Sequence, residues 1–361
     1  MSKTVTIFGP SHKFTSGISY YTQRLGRALK FQSEKPIDVR YCLFDDLLPK
    51  FLFPGRKRID SFSDSKTTLP YTSINWWNPV SLIESILAAN RSDSIIFEWW
   101  TGAVGLQYII AALLLRHKNT ILEYHECIDT TEDGKWWAGL WSRTCLKVLV
   151  RLVHQGVFHS EWELQNCPRE YTPGICHIVP HGVYDQYPRH PGAGPKVPAV
   201  TFNVLFFGLL RDYKGVRYLV DAFRRSDYPN WRLDIVGEEW DATGIPVDPR
   251  IHRFNGYIND EGVVNYFSNA SVVVLPYTRA SQSGVSFIAM NYGLPIVASD
   301  VGGLSESLQH YDGAWLVEPE NPEQILEALE QVYQYYDEVY PADVPEPFKW
   351  KNITKMWREI L

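Results

Sequence analysis

The sequence predicts an α/β protein made of two parallel-sheet domains. Three observations carry that prediction. The 361 residues suffice for about two domains with sizeable cores. Short apolar runs alternate with helix-period segments along the whole chain, the pattern of strands covered by helices. The alternation is interrupted once, by RHPGAGPKVPAV at 189–200, whose prolines and glycines mark a linker. The expected organisation is therefore an N-terminal domain over 1–190, a linker at 189–200, a second domain over 200–343 and a final helical segment over 344–361.

Within the first domain, residues 4–8 (TVTIF) read as a buried strand, followed by a Gly/Ser loop and an amphipathic helix over about 20–29. Residues 94–97 (SIIF) form a strand that leads into a helical stretch ending near 115. Residues 120–124 (TILEY), 156–159 and 177–179 supply further strands. After the linker, strands are expected at 203–207, 231–236, 271–275 and 296–298, with a helix over about 216–223. The chain ends in FKWKNITKMWREIL, an amphipathic helix with Phe348, Trp350, Ile353, Trp357 and Ile360 on its apolar side. In open α/β sheets, ligands sit beyond the carboxyl ends of the strands, so the loops after strands are the places to look for chemistry, in a cleft between two sheets.

Composition narrows the classes. Hydrophobic residues make up 45% and charged residues 21%, which excludes a disordered chain. The net charge of −6 argues against a general nucleic-acid binder. That charge is uneven: +4 over 1–200 and −10 over 201–361, as expected of two domains with different partners or of chance drift between solvated surfaces. Five cysteines, odd in number and without a CxxC pair, read as reduced thiols of a cytoplasmic protein. The first residues run straight into a strand and lack a signal-peptide apolar region. The longest apolar run, residues 108–115, is too short to span a bilayer.

Two stretches carry chemistry. In VLFFGLLRDYKGVRYLVDAF (204–223) a buried strand ends at Gly208, the loop holds Arg211 and Lys214, and Gly215 opens a helix. Two cations beside helix N-terminal amides form an anion site. Arg clamps phosphate oxygens in pairs and Lys acts as a point charge. GxxxxGK[ST] is absent, so this is not a P-loop, and cations at a solvated helix start have the same pattern. In VVVLPYTRASQSGVSFIAMNYGLPIVASDVGGLSE (272–306) a strand ends at Pro276, and Ser283 and Gly284 sit at a helix start where small residues admit a ligand to the backbone. A Gly/Pro-punctuated core without a ligand has that pattern too.

With IVPHGVY at 178–184, these stretches resemble glycosyltransferase family four. The supporting segments are LDIVGEE (233–239), FNGYINDEGVVNYFSNASVVVLPY (254–277) and GAWLVEPENPEQILEAL (313–329). The resemblance is continuous over about 176–330. It is looser over 1–175, where TVTIFGP, SGISYY and EYHE match only as strand-end loops. It implies the GT-B fold, two Rossmann-like domains facing across a cleft, with acceptor binding in the N-terminal domain and donor binding in the C-terminal one. The last helix would cross back onto the N-terminal domain.

The resemblance implies that Arg211 and Lys214 hold the donor diphosphate as catalytic cations. The family's usual arginine directly follows Gly208, where this chain has Leu209, and Arg211 substitutes for it. Gln282, Ser283 and Gly284 would contact the donor sugar and its phosphate, with Tyr257 and Ile258 near the base beside Gly256. His125 in ILEYHECID would stand beside the transferred sugar as a catalytic group. Glu126 and Asp129 follow it as acceptor contacts, and the first loop adds His12, Lys13, Ser16 and Gly17. His181 takes a hinge-side position. Two family glutamates eight residues apart fall on Ala280 and Ile288, a subset pattern with QSG in the loop, in which Ser281 and Gln282 take over sugar contacts.

The implied activity is retaining transfer of a hexose from a nucleotide-diphosphate sugar to a sugar, glycan or lipid-linked acceptor. The departing phosphate would help deprotonate the acceptor on the same face, while Arg211, Lys214 and helix-start amides stabilise the leaving charge. No essential metal and no cofactor beyond the nucleotide-sugar co-substrate is expected: protein cations take the metal's place and no DxD motif is present. Losing both glutamates motivates one alternative, a catalytically silent sugar-nucleotide-binding or scaffold protein; another, a GT-B sugar-nucleotide epimerase, would call for acid/base carboxylates in the cleft that the sequence does not show.

Eight of the 13 tryptophans precede residue 165. KWWAGLWSRTCLKVLVRL (135–152) reads either as an amphipathic helix on an anionic membrane, giving a protein peripheral on the inner face, or as core packing with snorkelling cations. Trp99 and Trp100, just after the strand SIIF, are candidates for sugar stacking at the acceptor site.

Overall fold

The computed structural model describes residues 3–14, 17–33, 35–47, 70–127, 136–187, 201–241 and 244–361. The chain divides into two units, Met1–Gly182 with Pro347–Leu361, and Val183–Glu346. The predicted linker at 189–200 lies outside the described residues, as does Ser16.

The first unit is a seven-stranded parallel sheet in the order β3-β2-β1-β4-β5-β6-β7. Its strands are β1 (Thr4–Pro10), β2 (Asp38–Asp46), β3 (Tyr71–Asn75), β4 (Ser94–Trp99), β5 (Asn119–Tyr124), β6 (Gln155–Phe158) and β7 (Cys176–Ile178). Its helices are α1 (Gly17–Phe31), α2 (Pro79–Ala89), α3 (Gly105–Leu114), α4 (Trp136–Leu149) and α5 (Glu161–Asn166). The central strands are apolar without alternation because both faces are covered. Right-handed crossovers fix which helix covers which face. From β1 the chain steps outward to β2 and places α1 on one face. From β3 onward it steps the other way, through β4, β5 and β6, and lays α2, α3 and α4 on the opposite face. Two cores result. One holds Val5, Ile7, Tyr21 and Leu25, and the other Phe8, Phe97, Tyr108 and Leu146.

The second unit is a six-stranded parallel sheet in the order β10-β9-β8-β11-β12-β13. Its strands are β8 (Phe202–Phe207), β9 (Trp231–Val236), β10 (Ile251–Phe254), β11 (Val272–Leu275), β12 (Ile296–Ser299) and β13 (Ala314–Val317). The helices are α6 (Val216–Arg225), α7 (Asp260–Asn269), α8 (Gly284–Tyr292), α9 (Gly302–Leu308), α10 (Pro322–Gln334) and α11 (Tyr336–Val339). Asn259 and Asn321 cap α7 and α10, their side-chain oxygens accepting from the backbone N–H of the third helical residue, Gly262 and Gln324.

The last helix, α12 (Trp350–Ile360), belongs to the first unit. It buries Trp350, Ile353, Trp357 and Ile360 against α1 and β1, and Arg24 lies 4.8 Å over the Trp350 ring. Its final carbonyls accept from strand residues, Ile360 from Asn119 Nδ2 at 3.0 Å and Leu361 from Ser94 Oγ at 3.0 Å. These bonds satisfy a helix end that would otherwise be orphaned.

One expectation is overturned here. Cys127 and Cys167 form a disulfide, with Cα atoms 5.9 Å apart, while Cys42, Cys145 and Cys176 are free. The two partners are 40 residues apart in sequence, joined only because the end of β5 and the segment after α5 meet in the fold. Among the described residues no helix is long and apolar enough to cross a membrane.

Candidate functional site

In the second unit the strand order reverses between β8 and β11: from β8 the chain moves to β9 and β10, whereas β11 leads to β12 and β13. Ligands of open α/β sheets bind at such a switch point, beyond the strand ends. The loop after β8 carries Gly208, Arg211 and Lys214. The loop after β11 carries Ser281, Gln282, Ser283 and Gly284. The fold therefore brings the two chemistry-bearing motifs, some 70 residues apart in sequence, to one place.

The backbone there needs glycine. Gly208 has φ +118°, and Gly215 has φ +63° with its missing Cβ only 1.9 Å from the Pro276 carbonyl oxygen. That close approach ties the β8 loop to the β11 loop. A backbone bond from Thr278 N to the Tyr213 carbonyl at 2.8 Å does the same.

Lys214 donates from Nζ to the Tyr277 hydroxyl at 2.8 Å and lies 4.1 Å over that ring. Tyr277 is buried, and its hydroxyl stands 3.2 Å from Ser283 Oγ. Ser283 is the N-cap of α8 yet makes no side-chain capping bond. Its hydroxyl points to Tyr277, and its carbonyl accepts from Ser286 Oγ at 2.6 Å. The start of α8 thus presents backbone N–H groups of its first turn next to a fixed ammonium, the arrangement that attracts an anion.

Arg211 is held differently. Its Nε donates to Asp241 Oδ2 at 3.1 Å, and its guanidinium lies 5.3 Å from the Trp240 ring. The same Asp241 oxygen accepts from Asp212 N at 3.0 Å, so one carboxylate orders both the side chain and the loop. Asp241, Trp240 and Tyr277 were not expected from the sequence; only Tyr277, at the end of the strand VVVLPY, had a signal there. Tyr257 and Ile258 follow β10, the edge strand, where Gly256 N donates to the Gly237 carbonyl at 3.3 Å. Tyr257 is exposed and Ile258 partly so, both beyond the same end of the sheet.

In the first unit, Gly17 opens α1, and His125 and Glu126 follow β5, partly buried. The fold does not support the expectation for Trp99 and Trp100. Both are 1% exposed and belong to the core under α3 and α4, with Trp100 packed 5.5 Å from the Phe14 ring. No indole face is left there for a sugar. They were misread because the strand β4 runs on to Trp99, so residues assigned to a loop are still inside the sheet. Asp129 lies outside the described residues.

Beneath His125 is a buried polar cluster that sequence reasoning missed. Glu98 and Glu123 are in register on β4 and β5, both 0% exposed, and point to the α1 face. Tyr21 donates to Glu123 Oε1 at 2.6 Å. Thr22 Oγ1 stands 2.5 Å from Glu98 Oε2, in room left by Gly9, whose Cβ would clash with that oxygen at 2.2 Å. Burial raises both carboxyls, Glu98 well above the ordinary range and Glu123 to about 8; the nearby Glu123 raises Glu98 further, while the Tyr21 hydrogen bond holds Glu123 back. Burial lowers His159 to about 4, and its Nδ1 donates to the Val179 carbonyl at 2.9 Å. His181 is lowered to about 3, by burial and then by His159. Glu123, His125 and His159 offer ligand atoms within 4.8 Å of one another. Burial thus favours the protonated form of both carboxyls and the neutral form of the His159 and His181 imidazoles. A glutamate in each of two apolar strands, IIFEWW and TILEYH, was the available signal.

A family model described as "Glycosyl transferases group 1" matches residues 201–335. An uncharacterized glycosyltransferase of Methanocaldococcus jannaschii is 31% identical over 42% of this chain and 42% of its own length. The GDP-mannose:glycolipid 4-beta-D-mannosyltransferase of Xanthomonas campestris is 28% identical over 42% of this chain and 44% of its own. These matches span less than half of each relative. Among solved structures, Anabaena HepE in complex with UDP superposes with a TM-score of 0.69 over 99% of both chains at 15% identity. The apo lipopolysaccharide outer core galactosyltransferase WaaB superposes with 0.63 over 99% of this chain and 98% of that one, at 14% identity. The shared fold is two parallel-sheet Rossmann-like domains of the GT-B type.

Proposed function

We propose that the chain is a glycosyltransferase that moves a hexose, with retention of configuration, from a nucleotide-diphosphate sugar to a sugar, glycan or lipid-linked acceptor. The observation that carries the reading is the Lys214–Tyr277–Ser283 chain at the switch point of the second sheet, next to the start of α8. Such a cation, aimed by a buried hydroxyl, meets the charge that gathers on a departing diphosphate as the glycosidic C–O bond breaks. Arg211 adds a second cation, and its pairing with Asp241 holds it ready without dispersing into solvent. The match of residues 201–335 to the family model supports this assignment of the donor side. In the first unit, His125 and Glu126 remain the acceptor-side candidates.

A specific observation keeps a second reading in view. Ala280 and Ile288 stand where carboxylates are implied, and Ile288, on α8, is a buried apolar residue, 8% exposed. A silent sugar-nucleotide binder follows if donor binds but never turns over. The test is acceptor-dependent release of nucleoside diphosphate across a nucleotide-sugar panel, with the anomeric configuration of the product read by NMR. Turnover with retention supports the proposal, binding without turnover selects the silent reading, and an inverted product rejects the same-face mechanism.

A further inference from the structure

The helical layer α2–α3–α4 of the first unit carries apolar residues on both sides. Inward, Ile86, Tyr108, Ala112 and Leu146 pack on the sheet. Outward, there is a second apolar stripe. On α2 the exposed positions are i, i+3 and i+7 (Val80, Ile83, Leu87), and on α3 they are i, i+4 and i+7 (Leu106, Ile110, Leu113). On α4 the outward stripe starts with Trp136, 81% exposed, and Leu140, then continues at the same spacing as Arg143 and Lys147. Eleven of the 23 exposed large hydrophobic residues among those described lie on these three helices. Single exposed apolar residues are ordinary, but a contiguous sheet of them marks an interaction surface.

Charge selects the occupant. Over α2, α3, α4 and the turns that follow them, the exposed or partly exposed charges are Arg91, Arg116, Lys118, Arg143, Lys147 and Arg151 against Glu84 and Asp93. Lys147 is paired with Glu170 at 2.8 Å, which leaves Arg91, Arg116, Lys118, Arg143 and Arg151 against two carboxylates, a positive balance. All three helices are crossovers of the same hand in one parallel sheet, so they run side by side in one direction. Their C-terminal turns, with Arg91, Arg116, Lys118 and Arg151, therefore line one edge of the layer. An apolar face bordered by cations fits an anionic bilayer, with apolar side chains at the acyl boundary and cations at lipid phosphates. A second copy of the chain would bring these cations against their own images.

We propose that the outer face of α2–α3–α4 docks flat on an anionic lipid surface. The seat extends over three helices, of which the Trp-rich α4 is only the margin, and it depends on no step of the transfer reaction. The test is co-sedimentation of the full chain with vesicles of phosphatidylglycerol and phosphatidylcholine, and with phosphatidylcholine alone, without any sugar nucleotide. A protein that transfers nothing still gives a clear result in this assay. The expected result is binding to the anionic vesicles that weakens with salt. Arg143→Gln combined with Arg151→Gln should weaken it about thirtyfold, and Leu87→Ser combined with Leu113→Ser should abolish it. Circular dichroism confirms the fold of each variant, and the charge pair leaves every apolar contact untouched. Absence of binding, binding indifferent to both variant pairs, or a vesicle-free dimer dissolved by Leu113→Glu would each overturn the proposal.

Discussion

The ammonium of Lys214 donates to the Tyr277 hydroxyl at 2.8 Å and at the same time lies 4.1 Å above that ring. The residues are 63 positions apart, on the loops after β8 and β11, so the bond measures how closely the fold joins the two halves of the candidate site. Lys214→Ala should lower kcat by about 10²–10³ while the protein stays folded, the range seen when a transition-state charge partner is removed. Tyr277→Phe keeps the ring and loses only the aiming bond, so a fall of roughly tenfold is expected. Steady-state assays of nucleoside diphosphate release distinguish the two.

Glu123 makes stability depend on pH. Its carboxyl, raised to about 8 from an ordinary 4.5, holds a proton in the folded state that the unfolded chain gives up. That stability is complete below about pH 4.5 and is lost as pH rises through 8. His159 and His181, lowered to about 4 and about 3 from 6.5, act in the opposite sense, adding stability as pH rises toward 6.5. Above 6.5 only the carboxyl contribution remains. Glu98, also raised, acts in the same sense, so unfolding free energy and Tm should fall between pH 6.5 and 8, by at most about 1.4 kcal/mol per pH unit for each of the two carboxyls. Glu123→Gln should reduce that slope by its own share, leaving the part that belongs to Glu98, and an unchanged slope would assign it elsewhere.

Trp99 and Trp100 are core residues, and their replacement should read out as stability. Trp99→Ala is expected to cost about 3–5 kcal/mol in urea unfolding. A role in stacking an acceptor sugar predicts instead a raised acceptor KM with unfolding unchanged.

The Cys127–Cys167 bridge predicts thiol counts. Unfolded in denaturant without reductant, the protein should be alkylated at three cysteines, Cys42, Cys145 and Cys176, and at all five once reduced. Closing a loop of 40 residues stabilises the fold by about 4 kcal/mol through loop-closure entropy. Five alkylated thiols without reductant would show that the bridge does not form.

The sequence disclosed β1, β4, β5, β8, β11 and the switch-point loops, because buried parallel strands are unbroken apolar runs and their ends are punctuated by glycine. It hid β3, β10 and β13, which are edge strands, and also the interior strand β2, whose segment DVRYCLFDD mixes Asp38, Arg40, Asp45 and Asp46 with its apolar residues. With only one neighbour and a partly exposed pattern, YTSIN, IHRF and AWLV lack the apolar density of the centre. Arg211 and Lys214 were legible as cations in a loop. Tyr277 and Asp241, which aim them, were not, since their roles exist only after the loops are folded together. Glu98 and Glu123 were hidden for a related reason. Strand register makes them neighbours, and sequence separation gives no sign of it.

The central claim is that the loops after β8 and β11 hold the diphosphate of a sugar nucleotide. Isothermal titration of a nucleotide-sugar panel against the unaltered chain and Lys214→Ala tests it most directly. The account predicts saturable binding of at least one donor, weakened about tenfold or more by Lys214→Ala. Binding of none, or equal affinity for both proteins, would contradict it.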